Sequence, residues 1–161
     1  MRVLVDKLSD AQAIRAIYNP AVPQATVTCE LGPRAHEEQT QWLNGHSGAH
    51  PAIVGEEDGD IAGYRSLTAY KERPAYRTSV EDSVYVHRGF QGQGVGRLLL
   101  TSLIGLAADS GYHAMFARIV GRHEASIPTP ATSGFQATRR QNRAGQPLTS
   151  GPDRGGWTAL E

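Results

Sequence analysis

A short glycine-rich segment between a candidate strand and a candidate helix carries the strongest chemical signal in the sequence. Gly92, Gly94 and Gly96 follow the strand-like residues 84–86, and apolar residues recur at three- and four-residue spacing from Val95. Glycines let a phosphate come close to backbone N–H groups because no Cβ intervenes. The first turn of a helix also leaves N–H groups unpaired in a dipole that favours an anion. The segment therefore predicts a site for a phosphate-bearing ligand.

The spacing of these glycines excludes two common phosphate loops. No Gly-Lys-Ser or Gly-Lys-Thr follows, so the segment is not a P-loop. The glycines run G-x-G-x-G, and no acidic residue follows about 20 residues later, unlike a dinucleotide fingerprint. Residues 91–96, Gln-Gly-Gln-Gly-Val-Gly, fit Q/R-x-x-G-x-G/A. This pattern resembles the acyl-CoA pyrophosphate loop of the GNAT acetyltransferase superfamily. Taken alone, the six residues could also form a tight strand-to-helix turn that binds no ligand.

Three further segments resemble the phosphinothricin/methionine-sulfoximine acetyltransferase branch of that superfamily. They are residues 14–22, residues 73–77 (Arg-Pro-Ala-Tyr-Arg) and residues 80–87. The resemblance is good from about residue 3 to residue 96, looser at 111–115 and 125–127, and faint after Pro128 apart from 134–135 and Trp157. It implies acetyl-CoA as cosubstrate, no metal, and transfer of the acetyl group to the primary amine of a small molecule.

By this resemblance, Glu81 matches the glutamate near the attacking amine. A carboxylate in that position accepts the proton of the amine, directly or through water. Strand alternation places Glu81, Ser83 and Tyr85 on one face, and Asp82 and Val84 on the other. Glu81 and Asp82 are therefore not expected to act as an acid–base pair. The alternative for Glu81 is a surface carboxylate on a polar strand face.

The resemblance also assigns binding residues. The residues implied to contact acetyl-CoA are Val84, Tyr85, Val86, Gln91, Gly92, Gln93, Gly94, Val95, Gly96, Arg97, His123 and Ser126. The residues implied to contact the acceptor are Arg73, Tyr76, Arg77 and Ser83. An arginine holds a carboxylate bidentately, although loop arginines are more often solvated, and Val84 and Val86 could equally be core residues.

The chain departs from the family pattern after the last matched strand. His123 stands where the family has asparagine, and Pro130 where it has an aromatic acid near the sulfur of CoA. Prolines deep in a helix remove a hydrogen bond and clash one turn back, at a cost of about 3 kcal/mol or more. Pro128 and Pro130 therefore predict that a helix over residues 125–133 is short, displaced or absent.

Three functions remain open at this point. The first and favoured one is an active N-acetyltransferase. The second is an acyl-CoA-binding protein with impaired catalysis, which Pro128 and Pro130 favour and Glu81 disfavours. The third is an interaction domain without CoA, which the intact glycine loop makes the weakest of the three.

Composition bounds the remaining expectations. The 161 residues fit one domain, 1–161, in which residues 121–156 are atypical and partly irregular. Sixteen basic residues balance sixteen acidic ones, so neither nucleic acid nor a membrane is an expected partner. Cys29 is the only cysteine, and no apolar leader or long apolar segment is present, which fits a cytoplasmic protein. His46 and His50 are expected to be solvent-facing loop residues, and the resemblance suggests a homodimer.

The hydrophobic periodicity predicts alternating strands and helices, and hence an α/β (α+β) class. With the resemblance, this becomes a GNAT fold, a central mixed, mostly antiparallel sheet flanked by helices. The expected strands are 2–5, 25–29, 52–56, 61–70, 78–87, 113–120, 134–140 and 157–160. Helices are expected after residue 10, after Pro33 and from Val95 to about Ser110.

Overall fold

A single sheet organises the described part of the chain. The computed structural model describes residues 1–24, 32–119, 136–140 and 155–159. The strands of these residues are β1 (Arg2–Val5), β2 (Ala52–Glu57), β3 (Asp60–Ala69), β4 (Ser79–Val86), β5 (Ala114–Ile119), β6 (Gln136–Arg140) and β7 (Gly155–Ala159). Their order in the sheet is β1-β2-β3-β4-β5-β7-β6, and every neighbouring pair is antiparallel except β4 with β5.

The described residues form three α-helices, which lie against this sheet. They are α1 (Ala11–Tyr18), α2 (His36–Gly45) and α3 (Val95–Asp109). The mixed, mostly antiparallel sheet with flanking helices confirms the expected fold class. The strand predicted at 25–29 lies outside the described residues. So does the segment 125–133, where a helix was predicted to be short, displaced or absent.

Helix α3 covers one face of the sheet because its apolar residues recur on one side. Leu99, Leu100 and Leu103 are fully buried and belong to the same apolar cluster as Val80 and Met115. Burying each such leucine contributes about 1.5–3 kcal/mol. This cluster fixes α3, and therefore its N-terminal turn, against the strand that precedes it.

Helices α1 and α2 cover the opposite face. Ile14, Tyr18 and Leu43 are buried together with Tyr64 of β3. The ring of Tyr85, on β4, packs edge-on against Tyr18 with centroids 5.0 Å apart and stacks on Tyr64 at 5.2 Å. Strand β4 is therefore packed on both faces.

A local sequence signal sets the connection between β2 and β3. The Asp58-Gly59 turn joins β2 to β3, and both residues have positive φ, 51° and 90°, as a tight hairpin requires. The turn before α1 is held by a side-chain contact of its own. The Asp10 side chain makes no capping bond to the helix, and its carboxylate instead accepts a hydrogen bond from the N–H of Lys7 at 3.1 Å, across the short 3₁₀ helix Leu8–Asp10.

Candidate active site

The glycine-rich loop is an exposed turn between β4 and α3. A 3₁₀ helix, Arg88–Phe90, follows β4, and the chain then turns through Gly92 (φ 75°) and Gly94 (φ 83°) into α3. Left-handed backbone of this kind favours glycine. A Cβ built on either glycine would meet no protein atom within 4 Å. The space beside the turn is therefore open to a ligand.

The first turn of α3 presents backbone donors to this space. The N–H of Leu98 donates to the carbonyl of Gly94 at 3.0 Å, which is the first hydrogen bond of the helix. The N–H groups of Val95, Gly96 and Arg97 precede that bond, so they lie outside the helical ladder. With the positive end of the helix dipole, they form a site suited to an anion such as a diphosphate.

The two glutamine side chains of the loop fold back onto the loop. Nε2 of Gln91 donates to the carbonyl of Val86 at 3.2 Å, and Nε2 of Gln93 donates to the carbonyl of Gly89 at 2.9 Å. These contacts brace the turn, which leaves backbone groups as the loop's main donors to a ligand.

Close packing holds the N-terminus of α3 against the sheet. Val95 is 2% exposed and packs where β2 and β3 carry Gly55 and Gly63. A Cβ on Gly63 would lie 2.9 Å from the backbone oxygen of Tyr85 and 3.3 Å from Cγ1 of Val95. A larger residue at position 63 would therefore press on the backbone of β4 and on Val95 at the start of α3.

A buried ion pair lies beneath the same turn. Arg65, in β3, is 1% exposed and Asp82, in β4, is 5% exposed. Nε and Nη2 of Arg65 donate to Oδ1 and Oδ2 of Asp82, each at 2.6 Å, and Nη1 donates to the carbonyl of Gly96 at 2.8 Å. Sequence reasoning missed this triad, although an arginine within the apolar run of residues 61–67 was an available signal.

Glu81 lies on the opposite face of β4 from Asp82. Its position in the sheet is opposite Thr68 of β3 and opposite Phe116 of β5. Ser83 is the next residue on the same face, opposite Ser66. The alternation expected from the sequence therefore holds, and Glu81 and Asp82 do not form a pair.

The parallel strands β4 and β5 separate beside Glu81. Their pairing runs from Ser79 opposite Ala114 to Asp82 opposite Ala117, whereas β4 continues to Val86. Among the described residues, no strand pairs with β4 on this side beyond Asp82. Val84 is 37% exposed and is therefore not a core residue. Val86 is half-buried and packs against the apolar cluster of α3.

An aromatic row joins the predicted acceptor loop to the position of Glu81. The ring of Tyr70 stacks on Phe116 with centroids 4.0 Å apart, and Tyr76 meets Tyr70 edge-on at 5.6 Å. Nζ of Lys71 lies 5.0 Å from the Tyr70 ring and 4.9 Å from the Tyr76 ring. Sequence reasoning singled out Tyr76 but missed Tyr70, Lys71 and Phe116.

The remaining predicted acceptor residues are less enclosed. Arg73 and Arg77 are exposed at the two ends of the 3₁₀ helix Pro74–Tyr76.

Two predicted acetyl-CoA contacts, His123 and Ser126, lie outside the described residues. Within the described residues, no group of three His, Cys, Asp or Glu side chains is arranged to hold a metal ion.

The expectation that His46 faces solvent is wrong. His46 is half-buried at the end of α2 and stacks on Trp42 with centroids 3.8 Å apart. Its Nδ1 donates to the carbonyl of Trp42 at 2.7 Å. Burial lowers the pKa of His46, the Trp42 carbonyl opposes this, and Arg34 and His50 lower it further. His46 is a packing residue because the helix end folds it onto Trp42.

Comparison with known proteins agrees with this geometry. The family model of the acetyltransferase (GNAT) family matches residues 11–135. The chain therefore belongs to the GNAT family of acetyltransferases, whose cosubstrate is acetyl-CoA. No helix of the described residues has the length and apolar character needed to cross a membrane.

Individual relatives lie within the same family. The chain is 34% identical over 146 residues to the L-amino acid N-acyltransferase MnaT of Escherichia coli, covering 90% of this chain and 85% of that protein. It is 34% identical over 138 residues to an L-methionine sulfoximine/L-methionine sulfone acetyltransferase of Salmonella typhimurium, covering 85% and 81%. A solved phosphinothricin acetyltransferase from Sinorhizobium meliloti, in complex with acetyl-CoA, superposes with a TM-score of 0.88 at 27% identity, covering 99% and 87%.

Proposed function

We propose that this protein transfers the acetyl group of acetyl-CoA to the primary amine of a small amino-acid-like acceptor, such as phosphinothricin or methionine sulfoximine. One observation carries the proposal. β4 loses its pairing with β5 after Asp82 and then leads directly into the open glycine loop. A strand edge that no other described strand covers, an anion site and the carboxylate of Glu81 are therefore arranged along one strand. The names of the relatives support the acceptor class.

The edge of β4 beyond Asp82, which pairs with no other described strand, suits the extended arm of acetyl-CoA. An extended ligand adds to an exposed strand edge through backbone hydrogen bonds. We assign this role to the backbone of Val84, Tyr85 and Val86, because the Tyr85 ring is already packed against Tyr18 and Tyr64. The loop residues from Gln91 to Arg97 then lie where the diphosphate would need its donors.

The chemistry requires a neutral amine. In the proposed reaction, a water molecule passes the proton of the attacking amine to the carboxylate of Glu81. The amine nitrogen forms a bond to the acetyl carbon, the carbon–sulfur bond breaks, and CoA leaves as a thiol or thiolate. A thiol with a pKa of roughly 8.5 is already a fair leaving group, so a dedicated acid is not essential.

We assign acceptor recognition to four residues near Glu81. Tyr76 offers its ring as a contact surface, and Ser83 lies on the same face of β4 as Glu81. Arg73 and Arg77 can pair with the carboxylate of an amino acid. His123 and Ser126 stay predicted cosubstrate contacts. We also propose that the protein is one domain and acts in the cytoplasm. We further propose that it forms a homodimer, and light scattering of the purified protein tests this oligomeric state.

The test is an acetylation panel. The purified protein is incubated with acetyl-CoA and one amine at a time, namely phosphinothricin, methionine sulfoximine, methionine, spermidine or an aminoglycoside, and the released CoA thiol is measured. We expect turnover with an amino-acid-like amine. Calorimetric binding of acetyl-CoA without turnover on any amine would favour the catalytically impaired CoA binder. Absence of binding would refute the proposal.

A further inference from the structure

Arg65 makes three contacts that join β3, β4 and the first turn of α3. Two of its nitrogens donate to both carboxylate oxygens of Asp82, and the third donates to the carbonyl of Gly96. The guanidinium is planar and its donors have a fixed fork geometry. Bidentate pairing with Asp82 therefore fixes the direction in which Nη1 meets Gly96.

Fixing the carbonyl of Gly96 also fixes the N–H of Arg97. The two groups belong to one trans peptide unit, in which C=O and N–H lie in a common plane and point in opposite directions. The guanidinium lies on the inner side of that unit, against β3 and β4. Within α3 the N–H of Arg97 is directed toward the N-terminal end of the helix, and it is one of the amides that precede the helical ladder.

A loop of this composition needs such support. Gly92, Gly94 and Gly96 provide no side chains to lock the turn, and glycine backbone is the most permissive of all. Gln91 and Gln93 brace the start of the loop through Val86 and Gly89. The contact of Arg65 with Gly96 braces its end.

We propose that Arg65, oriented by Asp82, is a positioning residue that aligns the first amides of α3 with the diphosphate of acetyl-CoA. This rests on the proposed role of the glycine loop in binding that diphosphate. Asp82 also keeps the buried guanidinium neutralised, because a lone charge in this position is costly. The pair acts through backbone amides and does not contact the ligand itself.

The test compares two ligands in an Arg65→Met/Asp82→Leu double variant. Replacing both partners with apolar residues of similar size often leaves stability unchanged or raised, because no charge is left unpaired. Dissociation constants are measured for acetyl-CoA by calorimetry and for S-acetylpantetheine, which lacks the diphosphate, by NMR titration. We expect the preference for acetyl-CoA over S-acetylpantetheine to fall on the order of ten-fold, the effect of misaligning a charge-assisted hydrogen bond. The Arg97 amide resonance should shift in the unliganded double variant.

Arg2→Met is the matched control, because it removes an arginine–carboxylate pair, Arg2 with Glu56 between β1 and β2, that includes neither Asp82 nor Gly96. It should keep the wild-type ratio of the two affinities. If the double variant does not fold, Arg65→Lys serves instead, since a single ammonium cannot reproduce the three directed contacts. An unchanged ratio would overturn the proposal, whether both affinities fall together or neither falls. A wild type with no preference for acetyl-CoA would overturn the diphosphate role of the loop itself.

Discussion

Replacing Gly94 with alanine separates backbone strain from loss of the anion site. Gly94 has φ 83° and Gly111, just beyond the other end of α3, has φ 78°. A Cβ at either position meets no protein atom within 4 Å. Gly94→Ala and Gly111→Ala should therefore each lose about 1 kcal/mol of stability, from left-handed strain alone. For a chain of this size that loss lowers the Tm by about 2–4 °C.

The two variants should differ in ligand binding. At Gly94 the methyl group enters the space assigned to the diphosphate, and strain relief would turn the first amides of α3. We expect the Kd for acetyl-CoA to rise at least ten-fold, or about 1.4 kcal/mol, in Gly94→Ala. Gly111 lies beyond the other end of α3, whose 15 residues span about 22 Å, so Gly111→Ala should bind acetyl-CoA like the wild type. Calorimetry measures both values, and equal affinities in the two variants would refute the assignment of the loop.

Three further changes test other parts of the molecule. Burial raises the pKa of Asp6 to about 6, its own backbone N–H opposes this, and the Asp10 carboxylate adds to it. The folded state therefore binds this proton more tightly than the unfolded state does, and the free energy of unfolding falls as the pH rises from about 4 to 6. In denaturant titrations, Asp6→Asn should restore about 1 kcal/mol of stability at pH 7.5 and none at pH 4. Tyr70→Leu removes the stack on Phe116, and the acceptor KM should rise about five-fold in steady-state assays. Leu99→Ala empties a fully buried position and should cost about 2–5 kcal/mol in urea unfolding.

Local features of the fold, which depend on residues close together in the chain, could be predicted from the sequence. The start of α3 at Val95, directly after the glycine turn, follows from glycine chemistry and the three- and four-residue apolar spacing. Placement of Glu81 and Asp82 on opposite faces needed only strand alternation. These rules operate over a few residues, so one sequence is enough to apply them.

Contacts between distant segments were not predicted. Arg65 is 17 residues from Asp82 and 31 from Gly96, and only strand pairing and the packing of α3 bring them together. The stack of Tyr70 on Phe116 likewise depends on the parallel pairing of β4 with β5. His46 was expected in solvent because polarity alone does not reveal that the end of α2 folds the ring onto Trp42. Such contacts require the register of the sheet, which local patterns do not specify.

The Glu81→Gln variant tests the central claim most directly. The amide keeps the size of the side chain but cannot accept a proton at neutral pH. With an amino-acid-like amine as acceptor, turnover should fall on the order of 100-fold, while the Kd for acetyl-CoA stays within about two-fold of wild type, because the glycine loop is unchanged. Wild-type turnover in Glu81→Gln would contradict the account.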